Sequence, residues 1–271
     1  MPPPTPDPPR PKRRRFRPVE VVAVEPATAR LVRVSLAGES LEGFEIEAPT
    51  QHVKLLFPAP GRSAPVLPEF GPEGITFPDG AARPVMRTFT PRRFHPETRT
   101  LDVEFVLHDE GPASTWARQA APGQHLAVAG PGGRMPLDLG PGHWVVAGDE
   151  SAIPAVGTLL GALPAQATAQ VLLEVESPAD EMAIDSAATV TTTWLSRRSG
   201  VFGEELLAAL AAADVAAATG VWVAGEATAV RRIRRLLLTD RGLEPTAIVT
   251  RGYWRLGEEN HPDHDHGEDA A

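Results

Sequence analysis

The 271-residue sequence predicts two domains, an antiparallel β-barrel followed by an α/β domain on a parallel sheet. Three observations carry this reading. The first half is a series of short, alternating or β-branched-rich segments separated by turn residues, the pattern of an antiparallel barrel. The second half alternates such segments with apolar helical ones, the pattern of a sheet built through crossovers. Between the halves lies GPGGRMPLDLGPG (130–142), a Gly- and Pro-dense join suited to a domain boundary.

Residues 1–18 are Pro-rich and then basic through Lys12–Arg15, and read as a disordered arm. The barrel is assigned to 19–140, with strands VEVVAVE (19–25), ARLVRVSL (29–36), HVKLLF (52–57), PVMRTFT (84–90), TLDVEFVL (100–107) and QHLAVAG (124–130). Pro and Gly run throughout 58–83, which reads as a loop able to flap over a ligand. The α/β domain is assigned to 141–257. HWVVAG (143–148), QVLLEVE (170–176), TTTWLS (191–196), VWVAGE (221–226) and AIVTRGYW (247–254) read as strands, and 151–163, 203–212 and 227–240 as helices. Residues 258–271 are acidic, with His261, His264 and His266, and read as a disordered tail in which no element fixes a metal-binding geometry.

Composition narrows the function. A hydrophobic content of 42% supports real cores, and a net charge of −9 argues against nucleic acid as the main partner. The absence of cysteine excludes disulfides, thiolate metal sites, Cys-ligated iron–sulfur clusters and cysteine nucleophiles. Any redox chemistry must therefore run through a bound organic cofactor or a non-thiolate metal. The N-terminal segment has no apolar core of a secretory signal. The most apolar long stretch, 206–225, is broken by Asp214 and Gly220 and reads as a buried helix entering a strand, with no membrane span. A soluble cytoplasmic protein is the expectation.

MRTFTP (86–91) and VEFVLHDEGPASTWA (103–117) carry the chemistry. In a strand, Arg87 and Phe89 point to one side and Thr88 and Thr90 to the other. An arginine can grip a diphosphate bidentately. A threonine hydroxyl or a strand-end N–H can hydrogen-bond a flavin ring nitrogen, and Phe89 can pack against the ring or ribityl chain. An ordinary amphipathic strand has the same pattern. Gly111 permits close backbone approach and Pro112 suits a first helical turn, which leaves the N–H groups of Ala113, Ser114 and Thr115 free for phosphate. A plain helix start is the alternative. Together, one strand and one helix start can clamp a pyrophosphate, with His108 contacting the cofactor or supporting the turn.

In the second half, Gly148–Pro154 and Val223–Glu226 are strand-to-helix corners at the carboxyl edge of a parallel sheet, where nucleotides bind. Neither is a GxGxxG fingerprint. Tyr253 and Trp254 can each cover a ring or belong to the core. Lys12 and Lys54 are the only lysines among 26 basic residues. A compact ammonium at Lys54 can attract an anionic substrate or remain a solvated strand residue, and Arg134, Arg251 and Arg255 sit at element ends where they can join it.

From about Pro18 to Gly257 the chain resembles the siderophore-interacting protein family, the FAD-dependent ferric-siderophore reductases of the ferredoxin–NADP reductase-like superfamily. MRTFTP, VEFVLHDEGPASTWA, PGQHLAVAGPGG, AGDESAIPA, VWVAGEATAVRRIRR and RGYWRLG carry the resemblance. It implies an FAD-binding barrel followed by an NAD(P)H-binding α/β domain. Arg87, Phe89 and Thr90 match the family's Arg-x-Tyr-Thr flavin motif, with Phe89 keeping the ring and losing the tyrosine hydroxyl. Val106, His108, Gly111, Ala113 and Ser114 match flavin-contacting positions. Asp149, Ser151 and Ala152 match the turn near flavin and nicotinamide, with Trp254 close by. Lys54, Arg134 and Arg255 resemble the basic residues that receive an anionic siderophore.

The activity so implied is transfer of electrons from NAD(P)H through FAD to Fe³⁺ held in a siderophore, releasing Fe²⁺, with no protein metal ligand. Two other readings stay open: a general flavin or ferric-chelate reductase, and a siderophore-binding module with non-catalytic FAD. NADH, NADPH and ferredoxin remain alternative donors. Glu176 and Asp180 can disfavour a 2′-phosphate, whereas Arg197 and Arg198 can bind one. The expected partner is a ferric siderophore, and the expected state is a monomer.

Overall fold

The computed structural model describes residues 15–71, 74–108, 111–133, 138–215, 218, 220–262 and 265–267. Its first layer is an antiparallel sheet. β1 (Phe16–Pro26), β2 (Leu31–Ala37), β3 (His52–Phe57), β6 (Val85–Phe89), β7 (Pro91–His95), β8 (Thr100–Val106) and β9 (His125–Gly132) pair in the order β6-β3-β9-β1-β2-β8-β7. A separate two-stranded hairpin, β4 (Glu69–Gly71) and β5 (Gly74–Thr76), lies within the stretch read as loop. Helix α1 (Pro112–Ala117) links β8 to β9.

Two elements differ from the sequence pattern. β1 begins at Phe16, inside the span read as an arm, because residues Phe16–Glu20 pair with Ala129–His125 of β9. PRRFH forms β7 although its two arginines and leading proline hide it. Pro91 is tolerated as the first residue of an edge strand, where no ladder N–H is missed.

β6 and β7 are consecutive in sequence, yet they lie at opposite edges of the sheet and only Thr90 separates them. The sheet must therefore curl until its edges meet at Thr90, which closes the barrel. Across that seam Phe89 of β6 meets Phe105 of β8 with ring centroids 4.5 Å apart. Phe57 and Trp116 complete an aromatic cluster, Phe57–Trp116 at 5.3 Å and Phe105–Trp116 at 5.6 Å. Each such pair contributes about 0.5–1.5 kcal/mol beyond area burial. Aliphatic residues make up most of the rest of the barrel core, with Val21, Val34, Leu36, Val53, Leu55, Leu101 and Val103 fully buried, alongside a second aromatic pair, Phe44 and Phe94, at 5.1 Å.

The second layer is the expected parallel sheet. It comprises β10 (His143–Asp149), β11 (Thr168–Val175), β12 (Thr189–Ser196), β13 (Gly220–Glu226) and β14 (Ile248–Trp254), in the order β12-β11-β10-β13-β14. α2 (Ile153–Ala162) packs on one face of this sheet, and α3 (Glu204–Ala212) with α4 (Ala227–Arg235) on the other. β13 is buried along its whole length, as befits a strand covered on both faces. The chain winds outward from β10 in one direction and then returns to its other side. The crevice between the carboxyl ends of β10 and β13 is thus the topological switch point, the ligand-binding position of such sheets.

The two layers are docked by specific contacts. Leu31 and Val106 of the barrel enter the α2-side core. The Thr50 N–H donates to Thr158 Oγ1 at 3.0 Å, and Thr28 Oγ1 donates to Asp180 Oδ1 at 3.4 Å. Arg92 of β7 lies against Gly157 of α2 so closely that a Cβ there would stand 2.8 Å from its Cζ.

The described part of the C-terminal tail departs from the disorder expected of it. Asp265 forms a bridge with Gly252 of the edge strand β14, and His261 has a side chain only 5% exposed. His261 Nε2 lies 2.8 Å from Asp265 Oδ2, and Arg231 donates to the same oxygen at 2.6 Å. The charged residues that suggested a solvated tail are those that bind it to the sheet edge. His264 lies outside the described residues.

Gly203, which precedes α3, has φ +77°, and a Cβ there would lie 2.2 Å from the Ala229 Cβ of α4. Gly203→Ala is expected to lower unfolding free energy by roughly 2–4 kcal/mol, combining left-handed strain with overpacking. Urea denaturation of the two proteins measures it, with Gly242→Ala, at φ +65° with open space around it, as the strain-only reference.

Candidate functional site

The barrel side of the site is the seam. Arg87 and Phe89 pair with Leu55 and Val53 of β3 and share their face, while Thr88 pairs with Lys54 on the other. Phe89 is turned into the aromatic cluster, so its ring supports the barrel wall from within. Arg87, on the same face, keeps only 22% of its side chain exposed. Its Nη1 donates to its own neighbour's carbonyl, Met86 O, at 3.0 Å. Its other partners are distant, with Asn260 Oδ1 at 3.5 Å and Glu259 Oε2 at 3.9 Å. β6 is an edge strand, so the backbone groups along its outer side lie outside the sheet ladder. An edge backbone with a loosely held guanidinium suits a dinucleotide diphosphate and a hydrogen-bonding ring.

The turn from His108 to Ser114 is tightly organised. Ser114, 1% exposed, donates through Oγ to His108 O at 2.6 Å and accepts from His108 N at 2.9 Å. Its hydroxyl therefore locks the turn, and its backbone amide is what it can offer a phosphate. Gly111 holds φ +101°, and His108 folds over it with Cε1 3.2 Å from where a Cβ would be. The Thr115 N–H donates to Gly111 O at 3.0 Å, so of the three amides expected to be open only Ala113 and Ser114 begin the helix. Val106 packs into the core between the layers. Ala152 is fully buried beneath the 148–152 turn. Their side chains pack against the core of the α/β layer, Ala152 fully buried and Val106 partly.

At the switch point, Asp149 ends β10 and is 3% exposed. It accepts from Ser151 N at 2.9 Å, Ser151 Oγ at 2.5 Å, Glu226 N at 2.8 Å and Trp254 Nε1 at 2.9 Å. Gly225, at φ +151°, is required beside it, since a Cβ would stand 2.6 Å from Asp149 Oδ2. Burial pushes the Asp149 pKa up, and these four donors pull it back toward the carboxylate. Trp254 stands edge-on to Phe202 at 4.6 Å, and Phe202 carries the Arg197 guanidinium 4.0 Å above its ring. Tyr253, next in chain to Trp254, turns its hydroxyl toward Thr90 at the barrel seam, and burial there holds its pKa well above the usual phenol value.

Arg197 is the residue whose role the sequence reading missed. Its side chain is 3% exposed, and it reaches three carboxylates. Nη2 donates to both oxygens of Glu150 (2.8 and 2.6 Å), Nε to Glu174 at 3.1 Å and Nη1 to Glu176 at 2.7 Å. It is therefore engaged and not open to a 2′-phosphate. Glu174, with no side-chain exposure, also accepts from Gly203 N at 2.8 Å and Leu206 N at 3.2 Å, which caps α3. The available signal was Glu174 itself, a charge inside the apolar run QVLLEVE that a buried strand tolerates only with a partner. Asp180, proposed to repel a phosphate, is 2% exposed and held by Thr28 and Ser177, so it ties the layers together instead. Arg198 is 84% exposed.

Of the three basic residues expected to receive an anion, Lys54 lies on the outward face of β3 beside Thr88. Arg255 lies just past β14, 42% exposed, with Glu258 at 3.1 Å. Arg134 falls outside the described residues.

Residues 20–135 match the siderophore-interacting FAD-binding domain, and residues 141–257 match the siderophore-interacting protein domain. The chain belongs to the siderophore-interacting protein family. It is similar to the ferric vibriobactin reductase of Vibrio cholerae, 32% identical over 240 residues covering 87% of this chain and 88% of that protein. The NADPH-dependent ferric-chelate reductase of Escherichia coli is 32% identical over 244 residues, covering 89% and 93%. Among solved structures, a siderophore utilization protein from T. fusca superposes with a TM-score of 0.82 at 36% identity, covering 93% of this chain and 97% of that one. Siderophore-interacting proteins thus share the barrel and the switch-point sheet seen here. Arg87 and Thr90 bring a guanidinium and a hydroxyl to the seam, and Ala113 and Ser114 bring two helix-start amides.

Arg197→Met is expected to leave the buried Glu174 and Glu150 without their cation and to cost about 3–5 kcal/mol of stability, read from urea unfolding. Burial, together with the Asp149 charge, pushes Glu150 up to about 7 against the pull of Arg197. Its native pKa thus lies above its unfolded value. The associated stability is complete below the unfolded carboxylate range and is lost as pH rises toward 7. Glu150→Gln is expected to flatten that loss, seen as a smaller pH slope of unfolding free energy between about 4.5 and 7.

Proposed function

We propose that this chain is an NAD(P)H-dependent, FAD-containing ferric-siderophore reductase. The observation that carries the reading is the adjacency of Tyr253 and Trp254. One faces Thr90 at the barrel seam, and the other donates to Asp149 at the switch point. The flavin motif and the nicotinamide crevice are thereby joined through two neighbouring residues of one strand.

FAD, when bound, supplies conversion of a two-electron hydride donor into one-electron delivery to Fe³⁺. Arg87 and the Ala113 and Ser114 amides would hold its diphosphate, and the edge of β6 with Thr90 would hydrogen-bond its ring. Asp149, fixed by four donors, shapes the floor on which the nicotinamide rests, and Trp254 closes that crevice on the β14 side. Lys54 and Arg255 draw the anionic ferric chelate to the exposed edge. Transfer of single electrons to iron, two Fe³⁺ reduced for each hydride taken up, needs no general acid or base from the protein, and Fe²⁺ leaves because hard anionic oxygens hold it less firmly than Fe³⁺.

For the donor, we favour NADPH over NADH and over ferredoxin. Glu176, the carboxylate placed at the end of the second strand to hold a ribose diol, is engaged by Arg197 at 2.7 Å and has Arg30 4.0 Å away. Arg198 stands exposed at the same edge for a 2′-phosphate. The Escherichia coli relative is named for NADPH dependence. No described helix is long and apolar enough to cross a membrane. We place the protein in the cytoplasm as a monomer, where NADPH and internalised chelates meet.

Anaerobic NADPH should bleach the flavin absorbance of the purified protein, and a ferric siderophore should restore it with release of Fe²⁺ to a ferrous chelator. Unbleached flavin would support a non-catalytic FAD. Reoxidation by free FMN as readily as by ferric siderophore would support a general reductase. Arg87→Ala is expected to weaken FAD binding by roughly 1.5–3 kcal/mol, the range for a hydrogen bond to a charged group, measured by titrating apoprotein with FAD.

A further inference from the structure

The family match ends at residue 257, yet the chain continues into an acidic segment that the fold holds in place. Its far end is anchored. The Asp265 carbonyl accepts from Gly252 N at 3.0 Å, and the Asp265 side chain accepts from Arg231 at 2.6 Å and from Gly267 N at 2.8 Å. Thr250 Oγ1 donates to the His266 carbonyl, and the Arg251 guanidinium meets the His266 ring. His261 is buried between Glu258 at 3.3 Å and Asp265 at 2.8 Å. A turn closed by Glu258 N donating to Arg255 O at 3.0 Å fixes the near end.

Between these anchors, consecutive acidic residues face two arginines. Glu258 Oε1 lies 3.1 Å from Arg255, Glu259 Oε2 lies 3.9 Å from Arg87, and Asn260 Oδ1 accepts from Arg87 at 3.5 Å. These are the cations assigned above to the ferric chelate and to the FAD diphosphate. Glu258 and Glu259 are 47% and 86% exposed, so neither is a core ion pair, and both can yield to a stronger anion.

We propose that Glu258 and Glu259 form an intramolecular anion strap that sets the enzyme's selectivity for the charge of its ferric chelate. The strap occupies Arg255 until an incoming ligand displaces it. A chelate gains Arg255 only by outcompeting a carboxylate, which raises KM for anionic chelates and leaves a neutral chelate, which has no use for the guanidinium, unaffected. Glu259 exerts the same competition on the FAD diphosphate at Arg87. This rests on the reductase reading for the chelate, whereas the competition with FAD is independent of turnover.

The test is the double variant Glu258→Gln, Glu259→Gln, which preserves shape at two exposed positions. The probes are the trianionic ferric tris(catecholate) and the neutral ferric tris(acetohydroxamate). Expected is a roughly two- to fivefold fall in KM for the anionic chelate, the scale of one or two surface ion pairs, with kcat unchanged and the neutral chelate unaffected. The difference should shrink in high salt. Titration of apoprotein with FAD should show tighter binding in the variant by a similar factor. Equal effects on both chelates, or none on either, would overturn the proposed charge selectivity. Failure of both proteins to reduce any chelate while FAD binding still tightens would sink the reductase reading and leave the strap standing at Arg87. Unchanged FAD binding would remove its second arm.

Discussion

A single buried guanidinium organises the carboxyl edge of the α/β sheet. Arg197 leaves the end of β12 and reaches Glu174 on β11, Glu176 just beyond that strand and Glu150 after β10. Burying Glu174 and Glu150 beside one another is tolerable only with a delocalised cation between them, because each alone would face several kcal/mol of desolvation, while Glu176 meets the same cation from the surface. The same guanidinium lies over Phe202, which buttresses Trp254, which donates to Asp149. The crevice between β10 and β13 therefore keeps its shape because the charge behind it is balanced.

The barrel contributes a complementary constraint. Its seam falls within MRTFTP, since β6 and β7 run to opposite edges with Thr90 between them. Closure turns Phe89 inward against Phe105 and leaves Arg87, on the same face of an edge strand, half-buried. Phe89 stands where the family pattern has tyrosine. The chain's one tyrosine, Tyr253, directs its hydroxyl to the neighbouring Thr90 from the other layer. The seam is thus polar on one side and aromatic on the other, and the second layer takes part in finishing it.

Much of this was legible before the fold was known. Period and turn chemistry placed most of the strands, and the strand-to-helix corners at Asp149 and Glu226 marked the edge at which the switch point lies. β7 was hidden because Pro91 and two arginines imitate a loop, and a strand with one open edge can carry them. The family resemblance assigns Ala152 and Val106 to the cofactor region; that their side chains pack against the α/β core, Ala152 fully buried and Val106 partly, is a property only the fold decides. The tail looked disordered by composition. Its charges instead found fixed partners on β14 and α4.

The sequence by itself determined the alternation of the elements, the absence of thiol chemistry, an arginine-bearing strand and a glycine-led helix start. These are local properties, written in spacing and residue type. Which charges meet was decided only by tertiary structure. Arg197 joins carboxylates up to 47 residues away, and Arg87 meets Asn260 across 173. An arginine read in isolation is an open anion site. Its partners, set by the register of a parallel sheet and the path of the closing strap, decide whether it is engaged, as Arg197 is, or only lightly guarded, as Arg87 and Arg255 are.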